Sequence, residues 1–331
     1  MKRLLKIISG IILIILIGYF VGPKPPRPVF EEHTFSLPSG LDDLEKEIDK
    51  SEKAVPGLKP DNQARIVWAD TANKAKTKIA FLYIHGFSAS QEEGDPVHRN
   101  IAEKYKSNLY LSRLQEHGID RGDSTLINLD AESYEKSAER ALAIAKMLGD
   151  EVIIIGTSAG GALTTFMASR HPEIKAIILY SPCIELYDKS ASLINKPWGL
   201  QILRKVIGNN NMTEEQKSPE HGNYWQLNYR LEGLVALQNF ISNTMKPETF
   251  YKVTCPVFLG YYYKSETEQD MTVSVPAMLK MFDELGTPSE FKVKTAFHET
   301  GAHVLTSPIR SKDWQSVEME TTRFLSEIVK L

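Results

Sequence analysis

Residues 79–84, 152–155, 176–180 and 257–261 are apolar without interruption. A strand covered on both faces reads this way, whereas a strand with one wet face alternates. The runs predict buried strands over 78–84, 151–155, 176–180 and 257–261. Shorter strands are expected over 64–68, 108–113 and 290–295. Between them the apolar positions recur at helical spacing, which predicts helices over 96–105, 131–148, 161–168, 275–285 and 314–329. Asp95 is the expected N-cap of the first, and Gly149-Asp150 ends the second. Residues 41–55 are charged and helix-prone, and Pro56-Gly57 stops them. From residue 78 onward strand and helix alternate. That order calls for an α/β fold, a mostly parallel sheet with helices on both faces.

Residues 184–254 break the alternation and are too long for an ordinary connection. They hold an amphipathic stretch over 198–207 and a second apolar face made by Leu231, Leu234, Val235, Leu237 and Ile241. Gly208 to Asn211 read as a hinge. The expectation is a helical cap over one edge of the sheet. A plain helical excursion packed on the core is the alternative.

Residues 7–23 carry no charge and follow Lys2, Arg3 and Lys6. As a helix this run is about 25 Å long, slightly short of the ~30 Å hydrocarbon core of a bilayer. Its end lacks the small-residue site at which a signal peptide is cut, which favours an uncleaved signal anchor over a cleaved one. Cations before the span place the N-terminus in the cytoplasm and the body across the membrane, in the periplasm if the cell is bacterial. The proline-rich residues 23–28 read as a stiff, solvated spacer. Residues 1–29 are thus anchor and spacer, and 30–331 one domain with the insertion 184–254.

The 331 residues are 42% hydrophobic and 24% charged, enough for one large core plus an insertion. Net charge is −3, and no basic stripe lies outside the extreme N-terminus, which argues against nucleic acid as a partner. Cys183 and Cys255 fall at opposite ends of parallel strands, beyond the ~7 Å Cα separation that a disulfide tolerates. Two isolated thiols also make no zinc site.

Gly156-Thr157-Ser158-Ala159-Gly160 joins a buried strand to a helix. A serine on so sharp a turn is lifted clear of the backbone. The glycines let the turn close, and the Ala159 N–H, at the helix start, can stabilise an oxyanion. A serine hydroxyl is a poor nucleophile at neutral pH and needs a base, which in turn needs an orienting acid. Of the eight histidines only His298 and His303 follow the last predicted strand. His303, beside Gly301 on a loop free to turn inward, is the better base. The two are five residues apart, about 140° around a helix, which does not suit a zinc-hydrolase pair. Glu266, Glu268 and Asp270 all follow the strand 257–261. Asp270 has the best context, with Glu268 next. His85-Gly86-Phe87-Ser88 follows the strand 78–84. Gly86 permits a turn that aims the Phe87 N–H at the cleft, while His85 reads as structural.

With these residues in view, the chain resembles the α/β-hydrolase superfamily, on its serine-esterase and monoacylglycerol-lipase-like side. The resemblance rests on Ile84-His85-Gly86-Phe87, on Gly156-Thr157-Ser158-Ala159-Gly160-Gly161, and on Gly301-Ala302-His303-Val304. Residues 109–118 look like the strand and loop ending in His-Gly in such lipases, although Gln115-Glu116 stand where a glycine is usual. The resemblance covers residues 78–331 without the insertion. It implies an eight-stranded sheet, a Ser158–Asp270–His303 triad and no cofactor. The stretch from Gly260 to Asp270 is longer than the family's. The expected activity is hydrolysis of a medium acyl or lipid-like ester through an acyl-enzyme. Acyltransferases and peptidases use the same constellation, and a non-catalytic, membrane-tethered acyl-binding module is the rival of another class. Oligomeric state stays open.

Overall fold

In the computed structural model, which describes residues 2–331, the uninterrupted apolar runs form the middle of one sheet. In chain order the strands are β1 (Arg65–Val67), β2 (Thr77–Ile84), β3 (Asn108–Leu111), β4 (Gly149–Thr157) and β5 (Ala176–Tyr180). They continue with β6 (Asn211–Thr213), β7 (Asn228–Arg230), β8 (Val257–Ser265), β9 (Glu268–Gln269) and β10 (Lys292–Phe297). The sheet runs β1-β3-β2-β4-β5-β8-β10, with β9 pairing on β8 as an eighth strand. Along that path all pairs are parallel except β1, which is antiparallel to β3. β6 and β7 form a separate antiparallel ribbon.

Alternate side chains of the central strands enter opposite layers, as the pleat requires. Leu82 and Ile154 join one cluster, and Phe81, Tyr83, Ile153 and Ile155 the other. The helices are α1 (Lys2–Phe20), α2 (Leu41–Lys53), α3 (Val97–Lys104), α4 (Ala131–Leu148), α5 (Ala159–Ala168), α6 (Gly199–Ile207), α7 (Pro219–Tyr224) and α8 (Leu231–Thr244). They end with α9 (Pro247–Phe250), α10 (Val275–Glu284) and α11 (Trp314–Phe324). α4, α5 and α10 cover the first layer, and α3 and α11 the second. α4 starts on a reciprocal cap, in which the Asp130 carboxylate accepts the Ser133 N–H at 2.7 Å.

Several local expectations change. Asp95 does not cap α3: Pro96 holds that position, and the Asp95 carboxylate pairs with Arg99. The strand expected over 290–295 begins two residues later, because Ser289–Phe291 close a 3-10 turn. Gly208 is no hinge point between helices but the left-handed cap of α6, with β6 starting at Asn211. α1 is exposed from Arg3 to Phe20. The proline-rich stretch after it is strapped to the body rather than wholly solvated. Trp198 donates from its indole N–H to the Gly18 carbonyl (2.9 Å) and from its backbone N–H to the Pro23 carbonyl (2.8 Å). Asn239 donates to the Pro26 carbonyl at 2.9 Å, and the Phe30 ring packs edge-on against Phe166 and Phe240.

Candidate active site

Ser158 joins β4 to α5 with φ 54° and ψ −119°. Side-chain-bearing residues rarely adopt this backbone, which costs on the order of 1–3 kcal/mol. Its surroundings over-determine it. The Ser158 N–H donates to the Tyr180 carbonyl on β5 (2.9 Å), and its carbonyl accepts from Ala162 (3.1 Å) and Cys183 (2.8 Å). A Cβ on Gly156 would collide with the Thr164 hydroxyl and the Gly160 carbonyl. One on Gly160 would collide with the carbonyls of Ile84 and His85. Glycine at both positions lets α5 lie against β4 and β2. Ser158, 8% exposed, lines a cavity of about 190 Å³ together with His303 and Phe87.

Asp270 reaches the same place by a hairpin. β8 runs past the sheet and returns as β9, pairing Tyr263 with Gln269. The hairpin absorbs the extra length after Gly260. It leaves Asp270 1% exposed. One carboxylate oxygen accepts the N–H groups of Thr272 (2.9 Å) and Val273 (3.1 Å). The other lies 2.6 Å from His303 Nδ1. A carboxylate partner puts the imidazole proton on Nδ1, so Nε2 keeps a free lone pair. Among the described residues Nε2 is buried and has no hydrogen-bond partner. Burial acts to raise the Asp270 pKa, but the His303 charge and hydrogen bond and the two N–H groups outweigh it, and the net shift is downward. For His303 burial acts downward, yet the charge and hydrogen bond of Asp270, with a further push from Glu93, raise its pKa above 6.5. Glu266 and Glu268 stay exposed on the hairpin. The Glu266 carboxylate accepts the Tyr263 hydroxyl (2.8 Å), and His298 bonds the Tyr263 carbonyl through Nδ1 (2.7 Å). None of these three joins Ser158.

The turn after β2 is fixed through its peptide groups. The Gly86 carbonyl accepts His85 Nδ1–H at 2.9 Å, and His85 Nε2 accepts the Leu114 N–H at 3.1 Å. Burial holds the His85 pKa down at about 4, so the ring stays neutral in this structural role. In a trans peptide the carbonyl and the following N–H point opposite ways. The Phe87 N–H therefore points away from the His85 ring. Ala159 is the first residue of α5, where an N–H has no acceptor within its helix. The Phe87 ring sits edge-on to His117 and Tyr229.

The insertion supplies Trp225, Tyr229, Leu234 and Leu237 to the cavity lining. Residues 109–118 contribute at one remove, since His117 stacks on Tyr134 beneath the Phe87 ring. Glu116 takes the left-handed backbone (φ 64°) that a glycine adopts without strain. Its carboxylate is clasped by Arg121 at 2.7 and 2.8 Å, and its carbonyl accepts from Gln226. Outside the insertion, two charged cavity residues escaped the sequence reading. Glu93 carries no signal beyond following the Gly86 turn, and Arg310 none at all.

The sheet order, the strained Ser158 turn and the solved structures of similar shape agree. The fold is that of the α/β hydrolases. A metagenome-derived lipolytic enzyme superimposes with a TM-score of 0.64 at 15% identity, over 82% of this chain and 99% of that one. A soluble variant of the monoglyceride lipase of Saccharomyces cerevisiae, solved with a substrate analogue, gives 0.60 at 15% identity, over 83% and 96%. A Pyrococcus furiosus esterase gives 0.53 at 15% identity, over 94% and 99%. No protein-family profile matches the sequence, and no curated protein matches it by sequence. Within the α/β-hydrolase fold, Ser158 stands at the strand-to-helix turn, Asp270 beyond β8 and His303 beyond β10.

Proposed function

We propose that the protein is a serine hydrolase that cleaves carboxylic esters of acyl or lipid-like character. His303 Nε2 takes the Ser158 proton as the hydroxyl oxygen attacks the ester carbonyl. The N–H groups of Phe87 and Ala159 hold the oxyanion, and Asp270 orients the imidazole and stabilises the imidazolium. The imidazolium then protonates the departing alkoxide. Water, deprotonated by His303, attacks the acyl-enzyme and releases the acid. The observation that carries this reading is the 2.6 Å contact of Asp270 with His303, whose free Nε2 lines the same cavity as Ser158. The lipolytic and esterase neighbours support the ester as substrate. The apolar lining from Leu234 and Leu237 suits an acyl chain.

The insertion 184–254 is a cap in this reading, and α1 a single-pass signal anchor. Its exposed apolar surface and the cations that precede it support a cytoplasmic N-terminus and an exported body. The test is hydrolysis of chromogenic esters of graded acyl length by the detergent-solubilised full chain. Wild type is expected to turn over at least one of them, and Ser158→Ala to lose at least about 10⁴-fold in kcat while melting within a few degrees of wild type. Unchanged hydrolysis by Ser158→Ala would refute the assignment.

A further inference from the structure

Glu93 lines the cavity, contacts the turn after β2, and has no part in the mechanism above. Glu93 is 2% exposed and sits in the 3-10 turn Gln91–Gly94. An acidic side chain that deep is costly unless its oxygens are engaged. Its Oε2 accepts the Gly86 N–H at 2.6 Å and the Tyr83 hydroxyl at 3.3 Å. Its main-chain carbonyl accepts the Thr306 hydroxyl at 2.7 Å, three residues beyond His303. The crowding is tight: a Cβ on Gly86 would stand 2.8 Å from one Glu93 oxygen and 3.1 Å from the Ser158 Cβ.

We propose that Glu93 is a positioning residue, whose carboxylate latches the Gly86–Phe87 turn beside the His303 loop and so holds the Phe87 N–H where the oxyanion forms. The inference rests on the esterase reading of the same site. Two contacts fix the turn on successive peptides: His85 holds the Gly86 carbonyl, which shares its peptide plane with the Phe87 N–H, and Glu93 holds the Gly86 N–H of the peptide before it. With Gly86 held at its N–H and at its carbonyl, the swing of the Phe87 N–H is restricted, and preorganisation of this kind is what makes an oxyanion donor effective.

The latch has an electrostatic consequence. Glu93 faces Tyr83 from β2, Tyr134 from α4, and His303 and Arg310 from the segment after β10. Burial raises its pKa to about 7, partly offset by the Gly86 N–H, the His303 charge, the Tyr83 hydroxyl and Arg310. In return its negative charge adds to that of Asp270 in favouring protonated His303, while Arg310 opposes it. The imidazolium formed during attack is thus favoured by two carboxylates.

The test compares Glu93→Gln, which keeps shape and an acceptor oxygen, with Glu93→Leu, which keeps neither, in the full-length protein on p-nitrophenyl butyrate from pH 5 to 9. Glu93→Leu is expected to lose about 100-fold in kcat at unchanged KM, the scale of one misplaced oxyanion donor. Glu93→Gln is expected to stay within about tenfold of wild type, with the acid limb of kcat/KM moved to lower pH. A merely structural Glu93 would not move that limb, so an unmoved limb in Glu93→Gln overturns the proposal even if Glu93→Leu fails to fold. Equal kcat in all three proteins also overturns it. Hydrogen exchange at the Gly86 amide separates the latch from the reaction. Protection that drops at least tenfold in Glu93→Leu is expected whether or not Ser158 proves reactive, and unchanged exchange overturns the latch. Failure of the esterase reading shows separately, as hydrolysis indifferent to Ser158→Ala.

Discussion

Two turns lie side by side at one edge of the sheet and are held in different ways. The Ser158 turn is held by steric fit: glycines at 156 and 160 let α5 close on β4 and β2, and three backbone hydrogen bonds lock the strained serine. The Phe87 turn has one long backbone bond, from the Ala89 N–H to the Gly86 carbonyl (3.3 Å), and is otherwise held by polar side chains, a neutral imidazole on one side and a buried carboxylate on the other. A turn fixed by packing is indifferent to pH and intolerant of volume. A turn fixed by a buried carboxylate depends on an acceptor oxygen and is coupled to every titrating neighbour.

The largest effect expected along this contrast concerns activation rather than presentation. In the proposed mechanism the Ser158 turn presents the hydroxyl, and the Asp270–His303 pair makes it a nucleophile. Asp270→Asn is expected to lower kcat by about 10³–10⁴-fold and to leave the melting temperature within a few degrees, measured on the same chromogenic ester. Loss of less than tenfold would place the orienting acid elsewhere. Next come the glycines. Gly160→Ala forces a methyl into two backbone carbonyls, and a chemical melt is expected to show about 2–3 kcal/mol of destabilisation. Gly86→Ala meets a side-chain carboxylate instead. It is expected to cost less than half as much stability while lowering kcat at least tenfold. Equal stability losses would erase the distinction between the two turns. The smallest effect is in pH. Because the His303 pKa is raised above 6.5, its imidazolium persists to higher pH than a free imidazole's. The neutral base is therefore gained as pH rises through that raised value. The acid limb of kcat/KM is expected above pH 6.5, and a limb well below it would mean that Asp270 does not carry its charge beside the ring.

The same contrast decides what the sequence could disclose. The Ser158 turn was legible because its requirements are local: a strand, glycines two residues to either side, and a helix. His303 was legible from its place beyond the last strand. Asp270 was legible only as one of three carboxylates, because the β8–β9 hairpin settles which of them faces His303, and a two-residue polar strand has no periodicity to read. Glu93 was not legible, since its meaning depends on a 3-10 turn that folds it back seven residues onto Gly86. In the insertion, α8 followed from its apolar face, but α7 and the β6–β7 ribbon are short and polar and left no pattern. The strap after α1 was read as solvated because proline content reports stiffness; the contacts that dock it come from Trp198, Asn239 and Phe240, far along the chain.

The most direct measurement of whether Ser158 is an activated nucleophile is mass-spectrometric mapping of the full-length protein after brief exposure to a fluorophosphonate. The expected result is one stoichiometric adduct on Ser158, absent from Ser158→Ala and formed far more slowly in Asp270→Asn. No adduct on wild type, or an adduct on another residue that persists in Ser158→Ala, would contradict it.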